Sequence, residues 1–170
     1  MKVVISGSFR KHLQGILKLK KGLEERGIEV IKPDRIKKIN NIDNPDFVKF
    51  EGEENIHPWI LEREYFNAIV KCDAHIIYNK DSYLGMSAMI ELGASMTKGE
   101  NTKVYLLERP DQDKMIAQKG NIDEGEKQDI REFCYLLEDM EKHGVLGIGI
   151  DQLYKDFNII RSIDRDEGER

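Results

Sequence analysis

Glu91 is the only charged residue between Asp81 and Lys98, in a chain of which 35% is charged. Around it runs Ser82-Tyr83-Leu84-Gly85-Met86-Ser87-Ala88-Met89-Ile90-Glu91-Leu92-Gly93, otherwise apolar or small. A carboxylate in that company faces an interior or a cleft, where it is costly unless it is paired, protonated or put to use. Near the start of a helix the dipole favours its ionised form. A sheltered, ionised carboxylate suits nucleophilic work. The plainer alternative is a Glu pointing to solvent from a greasy helix.

Two further groups could act with it. Ser6-Gly7-Ser8-Phe9-Arg10-Lys11 follows the apolar run Val3-Val4-Ile5. Small residues let a backbone approach a ligand, helix N-terminal N–H groups favour an anion, and Arg10 and Lys11 add charge. The motif is neither a Walker A loop nor GxGxxG, so an ordinary turn with an N-capping Ser and solvated cations is the alternative. Glu62-Arg63-Glu64-Tyr65 offers carboxyl groups for proton transfer, although such a run is ordinarily a solvated helix surface. His12, His57, His75 and His143 are scattered without ligand spacing, so none is assigned to a metal. Trp59 suits stacking on a base, a core contact or a dimer contact equally.

The elements that must position these residues follow from apolar spacing and breakers. A strand at residues 3–5 enters the Ser6-Gly7-Ser8 turn. A helix carrying Leu13, Ile16, Leu17 and Leu23 follows and ends at Gly27. Residues 28–31 give a second strand, stopped by Pro33. Residues 34–57 read as a long, irregular, polar loop bordering the carboxyl edge of the sheet. Pro58 opens a helix to about residue 71, then come a strand at 73–78, a loop at 82–85 and a helix at 86–98 closed by Gly99. A strand at 102–107, a polar loop at 111–126, a helix at 129–142 and an edge strand or turn at 144–150 complete the order. Alternating strands and helices of this kind make an α/β fold: a doubly wound, flavodoxin/Rossmann-like parallel sheet of four or five strands with flanking helices. The expectation is a single domain over residues 1–163 and a charged, frayed tail at 164–170.

Composition narrows the function. The 170 residues carry a net charge of −5 without a basic block on an aromatic background, which argues against a nucleic-acid partner. A small anionic ligand needs only one or two local cations. No run approaches the roughly 20 apolar residues of a membrane span, Cys72 and Cys134 read as buried thiols, and the protein is expected to be cytoplasmic.

In order along roughly residues 2–110, these motifs resemble the nucleoside 2-deoxyribosyltransferase superfamily, which includes the deoxynucleoside 5′-monophosphate N-glycosidases. The resemblance lies in Ser6-Gly7-Ser8-Phe9-Arg10, in Asp73 at the start of a strand, in Tyr83-Leu84-Gly85-Met86-Ser87, and in the triplet Glu91-Leu92-Gly93. It implies Glu91 as the catalytic nucleophile, Glu64 or Glu62 as the proton donor to the leaving base, and substrate contacts at Ser6, Gly7, Ser8, Arg10, Asp73, Gly85 and Ser87. The Gly-Ser-x-Arg start is closest to the monophosphate N-glycosidases, in which that loop holds the 5′-phosphate. Gly85 and Tyr65 stand where the transferases carry acids. No metal or organic cofactor is implied, and a homodimer or larger homo-oligomer is. The expected function is cleavage or transfer of the N-glycosidic bond of a nucleoside or its 5′-monophosphate. The alternatives are a non-catalytic nucleotide-binding or signalling module on the same fold, and a plain structural domain.

Overall fold

Val3, Val4 and Ile5 are all fully buried, so both faces of the first strand are covered and it must lie inside a sheet. In the computed structural model, which describes residues 1–39, 48–97 and 103–159, that strand is β1 (Lys2–Gly7). It pairs in parallel with β2 (Glu29–Lys32) on one side and β5 (Ala74–Tyr78) on the other. Beyond β5 lie β6 (Lys103–Leu106) and β7 (Leu146–Ile148), giving the all-parallel order β2-β1-β5-β6-β7. The chain winds one way from β1 to β2 and the other way from β5 onward, which is the doubly wound arrangement. Its switch point lies between β1 and β5. Loops leaving those two strands diverge and open a crevice at their carboxyl ends.

Strand alternation assigns the helices to faces. Val3, Ile5, Ala74, Ile76 and Tyr105 pack with Ile16 and Leu23 of α1 (Phe9–Glu24) and Leu153 of α6 (Ile150–Asp156). On the opposite face Val4 meets Ala68 and Ile69 of α2 (Pro58–Lys71). Ile77, Val104 and Leu106 there meet Ala88 and Leu92 of α3 (Met86–Met96), Met115 of α4 (Gln112–Lys119) and Leu137 of α5 (Glu124–Lys142). Both cysteines are buried thiols. No helix among the described residues is long and apolar enough to cross a membrane.

Several sequence expectations need correction. Residues 34–57 are not wholly irregular, because β3 (Lys38–Ile39) and β4 (Lys49–Phe50) form an antiparallel pair apart from the main sheet. The polar loop expected at 111–126 contains α4. Asp111 caps it by accepting from Lys114 N–H at 2.9 Å, and one buried residue, Met115, anchors it. The next helix starts at Glu124, earlier than expected, because Asp123 and Glu126 form a reciprocal capping box. A strand, not a turn, occupies 146–148, and α6 after it was not foreseen. The helix stop at Gly99 and the tail at 164–170 lie outside the described residues.

Two details fix the crevice. Gly7 has φ +148°, and a Cβ there would stand 2.8 Å from the Tyr78 carbonyl oxygen. Only glycine therefore lets β1 end this close to β5. After β5, Asp81 takes φ 65° and Ser82 φ 62°. Outside glycine that conformation is costly. Asn79 holds that turn to the end of β6: its amide donates to the Glu108 carbonyl at 2.6 Å and accepts from the Glu108 N–H at 2.9 Å. Ser82 N–H donates to the Glu108 carboxylate at 3.0 Å. Asn79→Ala leaves two backbone groups without these partners, and we expect it to lower unfolding free energy by about 1–3 kcal/mol in urea titrations at fixed pH.

Candidate functional site

The chain leaves β1 through Gly7 and turns directly into α1. Ser8 caps that helix, its hydroxyl accepting from Lys11 N–H at 3.3 Å. The chain leaving β5 enters α3 at Gly85, which supplies no capping side chain. Two helix N-termini therefore face one crevice, each with backbone N–H groups lacking intrahelical partners. A cleft of about 380 Å³ lies there. Gly7, Ser8, Phe9, Arg10 and Lys11 form one wall, and Gly85, Met86, Ser87, Ala88 and Glu91 another. Glu62, Glu64 and Tyr65 of α2 close the side, and Asp34, Arg35, Phe50 and Glu53 complete the rim.

The cleft combines aromatic and charged surface. The Phe9 ring stands edge-on to Phe50, 5.5 Å between centroids, and to Tyr65 at 6.0 Å. Lys11 Nζ sits 4.2 Å over the Tyr83 ring. Lys32 Nζ bridges Asp34 at 2.9 Å and Glu64 at 3.1 Å, and Arg35 pairs with Glu53 at 2.9 Å.

Glu91 is 6% exposed. It is the sixth residue of α3, beyond the first turn, so the helix dipole expected to favour its charge acts only weakly. Burial dominates and drives its carboxyl from 4.5 up to about 8. A hydrogen bond from Ser6 works against burial, and the nearby Glu62 charge adds to it. The carboxyl is consequently held as an acid at neutral pH, contrary to the ionised form expected from the sequence.

The remaining candidates separate. Gly7, Ser8, Arg10, Gly85, Ser87 and Glu64 line the cleft with Glu91. Ser6 does not. It is fully buried on the α3 side of the sheet, with its hydroxyl 2.7 Å from His75 Nε2 and bonded to Glu91. Asp73 lies at the opposite, amino edge of the sheet, where its carboxylate accepts from Lys2 N–H at 2.7 Å. It does not line the cleft. Glu64 is engaged by Lys32, whereas burial raises the pKa of Glu62 and makes it the better-suited proton donor. Trp59 is exposed outside the cleft, with the Arg63 guanidinium 4.8 Å from its ring.

Tyr65 was passed over as a candidate. Its hydroxyl is buried at the cleft without a hydrogen-bond partner among the described residues, and burial and the Glu91 charge push its pKa well above the ordinary value of 10.0. It is a phenol available as a donor close to Glu91. The signal in the sequence was its phase: Leu61, Tyr65, Ala68 and Ile69 form one inward stripe.

The Glu91 carboxyl has a direct consequence for stability. A carboxyl that binds its proton more tightly folded than unfolded gives stability below pH 4.5 that is lost as pH rises towards about 8. We expect the protein to lose up to about 5 kcal/mol of unfolding free energy from this group across that interval. Glu91→Gln should remove that slope and be the more stable protein at pH 8, as read by chemical unfolding at several pH values.

Comparison of the chain with family models, with curated proteins and with solved structures finds no match in any of the three.

Proposed function

We propose that the cleft binds a nucleoside or its 5′-monophosphate and breaks the N-glycosidic bond, with Glu91 as the nucleophile. The observation that carries this reading is the buried Glu91 carboxyl, which unlike the equally buried Glu53 has no ion pair among the described residues, close to two helix N-termini with a cationic end and an aromatic wall around it. Arg10, Lys11 and the first-turn N–H groups of α1 suit a phosphate. Phe9 and Phe50 suit a flat base. The sugar would then lie over Glu91.

In this reaction a carboxylate oxygen of Glu91 attacks C1′ while the C1′–N electron pair leaves with the base, through an oxocarbenium-like transition state. The departing nitrogen takes a proton from Glu62, or from the phenol of Tyr65. Water, or a second base, then attacks C1′ of the glycosyl ester, returns a proton to the group that protonated the leaving nitrogen, and frees Glu91 as the C1′–O bond breaks. Water gives hydrolysis and a base gives transfer. The residues described require no cofactor for these steps. A homo-oligomer belongs to the same proposal, and the exposed Trp59 and Val70 of α2 with Met86 and Ile90 of the adjoining α3 supply an apolar surface for it.

A second reading, a nucleotide-binding module without catalysis, is favoured by the protonated state of Glu91 at neutral pH. One experiment separates the two: incubation with a panel of deoxynucleosides and their monophosphates, with free base measured by chromatography. Catalysis requires base release that falls by several orders of magnitude in Glu91→Gln. Tight binding with no base released from any compound establishes the module instead.

For the catalytic reading, kcat/KM should climb about tenfold per pH unit up to about pH 8 and level off, because the free protein must first ionise Glu91. Arg10→Ala should erase a roughly ten- to hundredfold preference for a monophosphate over its nucleoside. Equal binding of the two by the unmodified protein would remove the phosphate from the proposal.

A further inference from the structure

The cations along the cleft are not held alike. Arg10, Lys11, Lys32 and Arg35 all line it. Lys32 is discharged by Asp34 and Glu64, and Arg35 by Glu53. Lys11 is different. Among the described residues no carboxylate reaches ion-pair distance of it, and its ammonium lies 4.2 Å from the centre of the Tyr83 ring. Lys11 belongs to the first turn of α1 and Tyr83 to the loop between β5 and α3, so this contact joins the two walls of the crevice.

The choice of partner matters. A carboxylate would cancel the lysine's charge and accept its N–H groups. An aromatic face attracts the ammonium through its quadrupole, carries no net charge and leaves those donors for another acceptor. The ring is also well placed to act as a fixed support. Ser82, just before it, donates its N–H to the Glu108 carboxylate at 3.0 Å, and Leu84, just after it, is buried. A Cβ on Gly85 would stand 3.6 Å from Tyr83 Cε1, so the ring lies beside the entry to α3. An exposed lysine without such a support samples many rotamers on its flexible stem, and a ligand that needs it in one place must meet that entropy. The surroundings are positive as well. Neither α1 nor α3 has an acidic residue in its first turn, and α1 carries Arg10 and Lys11 there, against its own dipole.

We propose that Tyr83 is a positioning residue for anion binding: its ring holds the Lys11 ammonium at the cleft with charge and donors unspent, and thereby sets the affinity for a phosphate. The ring acts through Lys11 and makes no contact of its own with the anion. Its hydroxyl is dispensable, its face is not. This rests on the reading above that the Arg10–Lys11 end of the cleft receives a phosphate.

The test uses the full chain and inorganic phosphate, with binding measured by calorimetry at low ionic strength. Tyr83→Leu should weaken phosphate binding by about two- to fivefold, the range a cation–π contact at an exposed site supports. Tyr83→Phe should keep the affinity. Lys11→Met should weaken binding at least as much as Tyr83→Leu, and Tyr83→Leu added to Lys11→Met should cost nothing further. In the ligand-free protein the Lys11 ε-methylene protons should be shielded by the ring in NMR spectra, equally in Tyr83→Phe, and should lose that shielding in Tyr83→Leu. Unchanged affinity in Tyr83→Leu, a loss in Tyr83→Phe equal to that in Tyr83→Leu, or additive losses in the double variant would each overturn the proposal. The failures separate cleanly. Phosphate binding without base release from any nucleotide sinks only the catalytic reading, and phosphate binding indifferent to Tyr83→Leu sinks only this inference. No phosphate binding by the unmodified chain removes the phosphate end of that reading and this inference with it.

Discussion

Keeping one carboxyl group out of water is the constraint on which the rest of the site depends. Removing a carboxylate from water is expensive, and the fold meets that cost with a proton and a hydroxyl rather than a salt bridge. Two of the cations at the cleft are used elsewhere: Lys32 holds Asp34 and Glu64, and Arg35 holds Glu53. Glu91 is left with Ser6 behind it and the cleft in front. A group with so little fixed compensation responds strongly to whatever enters beside it. A cationic or hydrogen-bonding ligand changes its charge state, and an apolar one does not.

Sheet order produces this situation. Because β1 and β5 are neighbours that hand the chain to opposite sides, the first turns of α1 and α3 frame one opening. Glu91 then falls one turn further in, where α3 already packs on the sheet through Ala88 and Leu92. The turn before α3 is held in place by unusual means. Two residues with positive φ store backbone strain, and Asn79 pins them to β6 so that Gly85 arrives at a set position. Such strain is tolerable where the surroundings over-determine the geometry, and the paired bonds between Asn79 and Glu108 do so.

Much of the frame was legible because it is written in short-range pattern. The apolar run at 3–5 and the Pro58 start of α2 needed no tertiary information. α4 escaped notice because its eight residues bury one side chain, too little to make a periodic signal. The β3–β4 pair escaped because two-residue strands carry no alternation. Ser6 looked like a ligand contact because residues beside a glycine turn commonly are, but strand alternation sends its side chain beneath α3. Asp73 could have been placed correctly from position alone, since a residue preceding a strand lies at the amino edge. The family resemblance, not the topology, brought it into the candidate set. Glu62 and Glu64 stood as alternatives in the sequence, and helical phase distinguishes them, for Glu62 lies one turn from both Tyr65 and Phe66.

Among the described residues the β3–β4 pair forms a sheet of its own, entering the chain between β2 and α2, so it borrows no register from the main sheet. It is fastened by local contacts: Glu53 accepts from Phe50 N–H, Lys49 donates to the Glu54 carbonyl, and Arg35 clasps Glu53. A part attached in this way can change length or sequence without disturbing strand pairing below it. The carboxyl edge is therefore divided into a conservative half, where the reactive groups are tied to the sheet, and an exchangeable half. Diversification of ligand preference in such a scaffold can proceed through the exchangeable half alone, at little cost to folding.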